Sequence, residues 1–145
     1  HELDYLNWLF GGWKSLSALG GNLSDLEIDS DDVFSLMIKM NNCPIVSLQL
    51  NYLDRVGRRN LLINTNNHVF QIDFINKTFQ KDNEVEVFEY DRNYTYINQH
   101  KAIFENNSNF LCSIKDGSEI LKLIQAAEHS AFADKNYWVE NETDL

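Results

Sequence analysis

The sequence predicts an α+β fold: a mostly antiparallel, in part mixed, β-sheet with helices packed on one face. Three observations predict it. Apolar residues recur with period two over much of residues 13–87, with Asn and Gly pairs between the runs. Each run has one apolar and one polar face, so one side of the sheet needs a cover. Apolar residues then recur at about 3.5 residues from Ile97 onward, which supplies helices for that cover.

The elements follow in order. Residues 2–10 read as a helix, with Leu3, Leu6 and Phe10 on one face and Gly11-Gly12 as the stop. If this helix reaches back to residue 1, His1, Asp4 and Tyr5 share a face. Trp13 to Leu19 alternates as a strand that Gly20-Gly21 ends, with Trp13 opposite Leu16 and Ala18. Residues 22–31 form an acidic loop. Phe34, Leu36, Ile38 and Met40 share a strand face, and Asn41-Asn42 turns the chain. Val46, Leu48, Leu50 and Tyr52 face one way in the next strand, and Ser47, Gln49 and Asn51 the other.

Further strands run over Leu61–Thr65, Phe70–Phe74, Thr78–Gln80 and Val85–Val87, joined by short turns into an antiparallel meander. A helix over Ile97, Phe104, Leu111 and Ile114 is interrupted near Asn106–Asn109. Asp116-Gly117 is a turn signal, and Ser118 to Ala133 form a second helix with Ile120, Leu121, Ile124, Ala127 and Ala131 inward. Tyr137-Trp138-Val139 closes the series as a strand.

The 145 residues suit a single domain over 1–145. Leu, Ile, Val and Phe make up 44 of them, enough for a packed core. A net charge of −10 speaks against a nucleic-acid surface, since phosphates need clustered Lys and Arg. The one basic cluster, Arg55, Arg58 and Arg59, reads as a solvated turn. No apolar run approaches the ~20 residues of a membrane span. Cys43 and Cys112 stand alone, which suits neither a disulfide framework nor a zinc site and fits a cytoplasmic protein. Eighteen Asn residues create five N-glycosylation acceptor patterns, at Asn22, Asn76, Asn93, Asn106 and Asn141. They keep a secreted glycoprotein open as a weaker alternative, behind an Asn-rich composition.

Candidate chemistry gathers at the amino end. His1-Glu2 lacks the second His that a zinc-protease helix needs, because position 5 is Tyr. A His beside a carboxylate suits general acid–base work near neutral pH, or is a surface residue at a helix start. His68, His100 and His129 are isolated. Neither Gly pair has the GxGxxG frame of a dinucleotide loop. Tyr52-Leu53-Asp54-Arg55, at a strand end, either lines a pocket or is an ordinary strand exit.

The segment His1-Glu2-Leu3-Asp4-Tyr5-Leu6-Asn7-Trp8-Leu9-Phe10-Gly11 resembles the opening of the C-terminal domain in the glucose–fructose oxidoreductase, inositol dehydrogenase and MocA-like family. The Trp13–Ala18 strand, the strand ending Leu50-Asn51-Tyr52-Leu53-Asp54-Arg55, and Asp116-Gly117 with Leu121, Ala126-Ala127 and Ser130-Ala131 fit the same pattern in the same order. The resemblance implies a substrate-binding and oligomerisation domain of an NAD- or NADP-dependent oxidoreductase acting on a sugar or polyol. It implies that an N-terminal Rossmann domain, lying outside this sequence, holds the cofactor, and that this piece alone is inactive. It places His1 at the catalytic position and Asp4 near the substrate hydroxyls. Tyr52 is the further candidate for the substrate, and the bare sheet face carrying Ser47, Gln49 and Asn51 the candidate subunit interface. A binding or scaffolding domain of the same fold, without the chemistry, is the alternative.

Overall fold

The computed structural model describes residues 1–133 and 137–141. In chain order it holds α1 (Glu2–Phe10), β1 (Trp13–Gly21), β2 (Val33–Met40), β3 (Val46–Asn51), β4 (Asn60–Asn64), β5 (Val69–Asp73), β6 (Thr78–Lys81), β7 (Glu84–Val87), α2 (Tyr94–Phe104), a 3₁₀ turn (Ser108–Phe110), α3 (Ile114–Phe132) and β8 (Val139–Glu140). The α+β class is as the sequence predicts, but the strands form two sheets, ordered β3-β2-β1-β8 and β4-β5-β6-β7. Every pairing in both is antiparallel. The chain divides into two compact units: residues 1–53 with 112–145, and residues 54–111.

The first unit holds the core. Leu36, Ile38 and Met40 of β2 and Leu16 and Ala18 of β1 are buried on one sheet face, against which α3 packs. Strict alternation would put Trp13 on the opposite face from Leu16, yet both are buried. The reason is a register shift between Trp13 and Ser15: Trp13 pairs with Met40 and Leu16 with Ile38, so β1 spends three residues where β2 spends two. That one-residue bulge turns Trp13 back into the core. Gly20 and Gly21 do not end β1 but belong to it. A Cβ on Gly20 would lie 2.5 Å from the ring of Phe34, its cross-strand partner, so the bare glycine is what lets that ring lie across the strand.

Helix α3 starts earlier than the sequence suggests. Ser113 and Asp116 form a capping box, each side chain taking the other's backbone N–H, so Asp116 opens the helix instead of turning the chain. Its buried residues are Leu123, Ala126, Ala127 and Ser130. The expected inward face is therefore rotated: Leu121 is 62% exposed and Ile124 38% exposed. Small side chains at 126, 127 and 130 let the helix backbone approach β1.

Ser130 shows why a polar residue belongs there. The β1–β8 ladder runs through Ser15–Glu140 and Leu16–Val139. Beyond it the Ser130 hydroxyl accepts from the Ala18 N–H at 2.9 Å and donates to the Tyr137 carbonyl at 2.9 Å. The hydroxyl thus stands in for a missing rung. Replacing Ser130 with Ala should cost about 1–3 kcal/mol, because buried polar backbone loses its partner. Denaturant unfolding of the variant measures this, and an unchanged midpoint would remove the bridging role.

In the second unit, Leu61, Ile63, Phe70, Ile72 and Phe79 share one half-buried face of the meander, where Phe70 and Phe79 stack at 6.1 Å. The predicted break after Phe104 is present: α2 ends there and the 3₁₀ turn follows.

Candidate functional site

The start of α1, the ends of β2 and β3 and the middle of α3 meet around a cavity of about 510 Å³. Helix α1 forms because Leu3, Leu6 and Phe10 make an apolar stripe, acids Glu2 and Asp4 favour its positive end, and Gly11 at φ +66° stops it. Its first hydrogen bond runs from the Tyr5 N–H to the His1 carbonyl at 3.1 Å. His1 is therefore the N-cap residue, exposed, with its side chain outside the capping bonds.

The cavity wall is apolar where it meets the sheet: Phe34 and Leu36 of β2, Leu50 of β3, and Ile124 and Ala127 of α3. Phe34 is held by Gly20 beneath it and by the edge of Phe132, with centroids 6.1 Å apart and planes at 88°. Around this wall stand Glu2, Asp31, Asp32 and Glu128, with Asn51 and Tyr52 at the end of β3.

Asp32 organises the rim. Its carboxylate, only 2% exposed with its residue, accepts from the Leu23 N–H at 2.8 Å, the Ser24 N–H at 3.0 Å and the Ser24 hydroxyl. Its own N–H donates to the Gly21 carbonyl, and its carbonyl accepts from the Tyr52 N–H at 2.9 Å. One residue thus ties the acidic loop, the end of β1 and Tyr52 together. The Leu23 amide first, then the Ser24 hydroxyl, hold the Asp32 carboxyl below the usual carboxylate range against the opposing effect of desolvation. A depressed folded-state pKa stabilises the fold fully above the unfolded value, and this is lost as pH falls through the folded one. Asp32→Asn should therefore lower the thermal midpoint at neutral pH, with the gap to the parent closing as the pH falls below the carboxylate range. A gap independent of pH would refute the charge-linked part.

The structure brings Tyr52 and the first turn of α1 to one cavity, where Tyr52 is 69% exposed. Asp4 is exposed and, like His1, lies outside the cavity lining. Its charge acts elsewhere: desolvation, then Asp4 and Asp116, push the Cys112 thiol up. Asn51, expected on the bare sheet face, lines the cavity instead, while Ser47 and Gln49 are exposed. Asp31, Asp32 and Glu128 escaped the sequence reading, in which Phe34 figures only as an apolar strand residue. Two of the three isolated histidines have local partners: His68 Nδ1 lies 2.8 Å from Asp82 Oδ2, and His129 Nε2 2.8 Å from the Tyr137 hydroxyl. Among the described residues no group of three or more His, Cys, Asp or Glu could hold a metal ion, and no helix is long and apolar enough to cross a membrane.

No protein-family model and no curated protein matches the sequence. Solved structures do match the fold. An oxidoreductase from Thermotoga maritima superposes with a TM-score of 0.76 at 18% identity, over 97% of this chain and 41% of that one. A UDP-N-acetylglucosamine 3-dehydrogenase from Acidithiobacillus ferrooxidans gives 0.75 at 20% identity, over 90% and 44%. The fold is that of the C-terminal part of this type of oxidoreductase. The WlbA dehydrogenase from Bordetella pertussis, solved with NADH and UDP-GlcNAcA, shares this oxidoreductase fold with a TM-score of 0.70 at 16% identity, over 99% of this chain and 46% of its own. The resemblance read in the sequence therefore holds at the level of fold. The chain spans less than half the length of these structures.

Proposed function

We propose that this chain is the substrate-binding and oligomerisation domain of a nicotinamide-dependent oxidoreductase acting on a sugar or polyol hydroxyl. The observation that carries this reading is the cavity: it joins Glu2 and Leu3, next to the N-cap residue His1, to the strand end that bears Tyr52, within an oxidoreductase fold. Its volume falls in the range of small-molecule sites, roughly 300–1,000 Å³.

His1 is assigned the proton of the reacting hydroxyl, because imidazole exchanges protons near neutral pH. Tyr52, on the cavity lining, is assigned hydrogen bonds to neighbouring hydroxyls. The residues present do not suit the cofactor itself: Gly11-Gly12 ends a helix and Gly20-Gly21 lies in a strand, so neither pair makes a phosphate loop. NAD or NADP is therefore assigned to a Rossmann domain outside this chain, where it would take up or supply the hydride.

The open face of the first sheet, where Ser35, Met37, Ser47 and Gln49 are exposed neighbours, is assigned to a homo-oligomer contact. A cytoplasmic setting is supported by the free thiols of Cys43 and Cys112. It is also supported by the acceptor Asn amides: those of Asn22, Asn76 and Asn141 donate to Ile28, Asp73 and Trp13.

The test is an assay of the full-length protein with NAD or NADP against a panel of polyols and sugars, read as reduced nicotinamide. Turnover is expected. Absence of both turnover and nicotinamide binding would overturn the reading.

A further inference from the structure

We infer that the cavity beside α1 admits uncharged or amino-bearing sugars and turns away phosphorylated and uronic ones. This rests on reading the cavity as the substrate pocket. The cavity and its apolar wall make the site, and the charges around it set the class of sugar. Glu2 comes from α1, Asp31 and Asp32 from the loop into β2, and Glu128 from α3, so three separate stretches of chain bring acidic residues to the lining, although the Asp32 carboxylate itself is turned onto the Leu23 and Ser24 donors. Among the described residues no Lys, Arg or His lines it. Sites that take phosphates or carboxylates supply Arg or Lys forks or a bare helix N-terminus.

The start of α1 is a positive feature here, equivalent to about half a unit charge. Glu2 lies in its first turn, as does Asp4, and both already answer it. The donors on Asp32 favour its ionised form, so its charge persists. A sugar phosphate would bring two further negative charges against a half-apolar wall, where like charges repel more strongly than in water. The chain's net charge of −10 acts in the same direction at longer range. Hydroxyl and ammonium groups, in contrast, are donors that Glu2, Asp31, Glu128 and Asn51 can accept.

Calorimetric titration of the chain with glucosamine, N-acetylglucosamine, glucuronate and glucose 6-phosphate tests this. The two non-anionic sugars are expected to bind about tenfold or more tightly than the anionic pair at low salt, the combined effect of several partly exposed charges. The gap should shrink as salt is added. Glu128→Gln, at an exposed helix position, should narrow it by about threefold. If the anionic sugars bind as tightly as the others, the charge inference is overturned while the pocket stands. If none of the four binds, and the full-length enzyme also turns over none, the pocket reading fails and takes the inference with it.

Discussion

Replacing His1 with Ala in the full-length protein should lower turnover by about 10²-fold or more, the usual contribution of a positioned acid–base group. Substrate affinity should change much less. The substitution is clean: the His1 backbone carbonyl closes the first turn of α1, and its side chain takes no part in capping. Alanine therefore removes the imidazole and keeps the bond the helix depends on. The pH profile gives the second readout. The limb near neutral pH should vanish in the variant, because imidazole is the one side chain whose unperturbed pKa lies there. Equal turnover with an unchanged profile would remove His1 from the reaction.

Leu123→Ala should destabilise the first unit by about 2–5 kcal/mol, the range for a large side chain removed from a packed core. Leu123 is 0% exposed, on the face of α3 that packs against β1. Leu121→Ala, at a position 62% exposed, should cost far less, within the ~0.5 kcal/mol typical of surface changes. Chemical denaturation of the pair measures which face of α3 is inward. The pattern of apolar residues alone puts Leu121 inside, so a larger loss at 121 than at 123 would restore that reading.

Much of the architecture was legible because its causes are local. Apolar stripe, acidic first turn and glycine stop place α1 at Glu2–Phe10, and Asn41-Asn42 separates β2 from β3 as the turn preference of Asn implies. The bulge in β1 was not legible. A one-residue insertion leaves the alternation around it intact on either side, and only pairing with β2 shows that Trp13 and Leu16 face the same way. The inward face of α3 was misread for a related reason: Ser130 looks like a solvent residue until Ala18, 112 positions earlier, presents its N–H.

The site divides in the same manner. Tyr52 could be singled out as a polar residue at a strand end. Asp32 and Glu128 could not, since nothing near them in sequence distinguishes them from the other acids of an acidic chain. Asp32 becomes a neighbour of Tyr52 only when β2 pairs with β3, and Glu128 joins the same lining only once α3 lies over the sheet.

The division of the chain into units has a consequence for synthesis. The second unit, residues 54–111, is continuous, whereas the first is assembled from residues 1–53 and 112–145. Each strand of β4–β7 pairs with the next, so these hairpins close on short loops as they emerge. The earlier sheet must wait. Its face bearing Leu16, Ile38 and Met40 has no helix to bury it until Leu123 and Ser130 have left the ribosome, some eighty residues after β3. During that interval the nascent chain carries an uncovered apolar surface, the condition under which chaperones are recruited and truncated products aggregate. Chains cut short before α3 should accumulate as insoluble material.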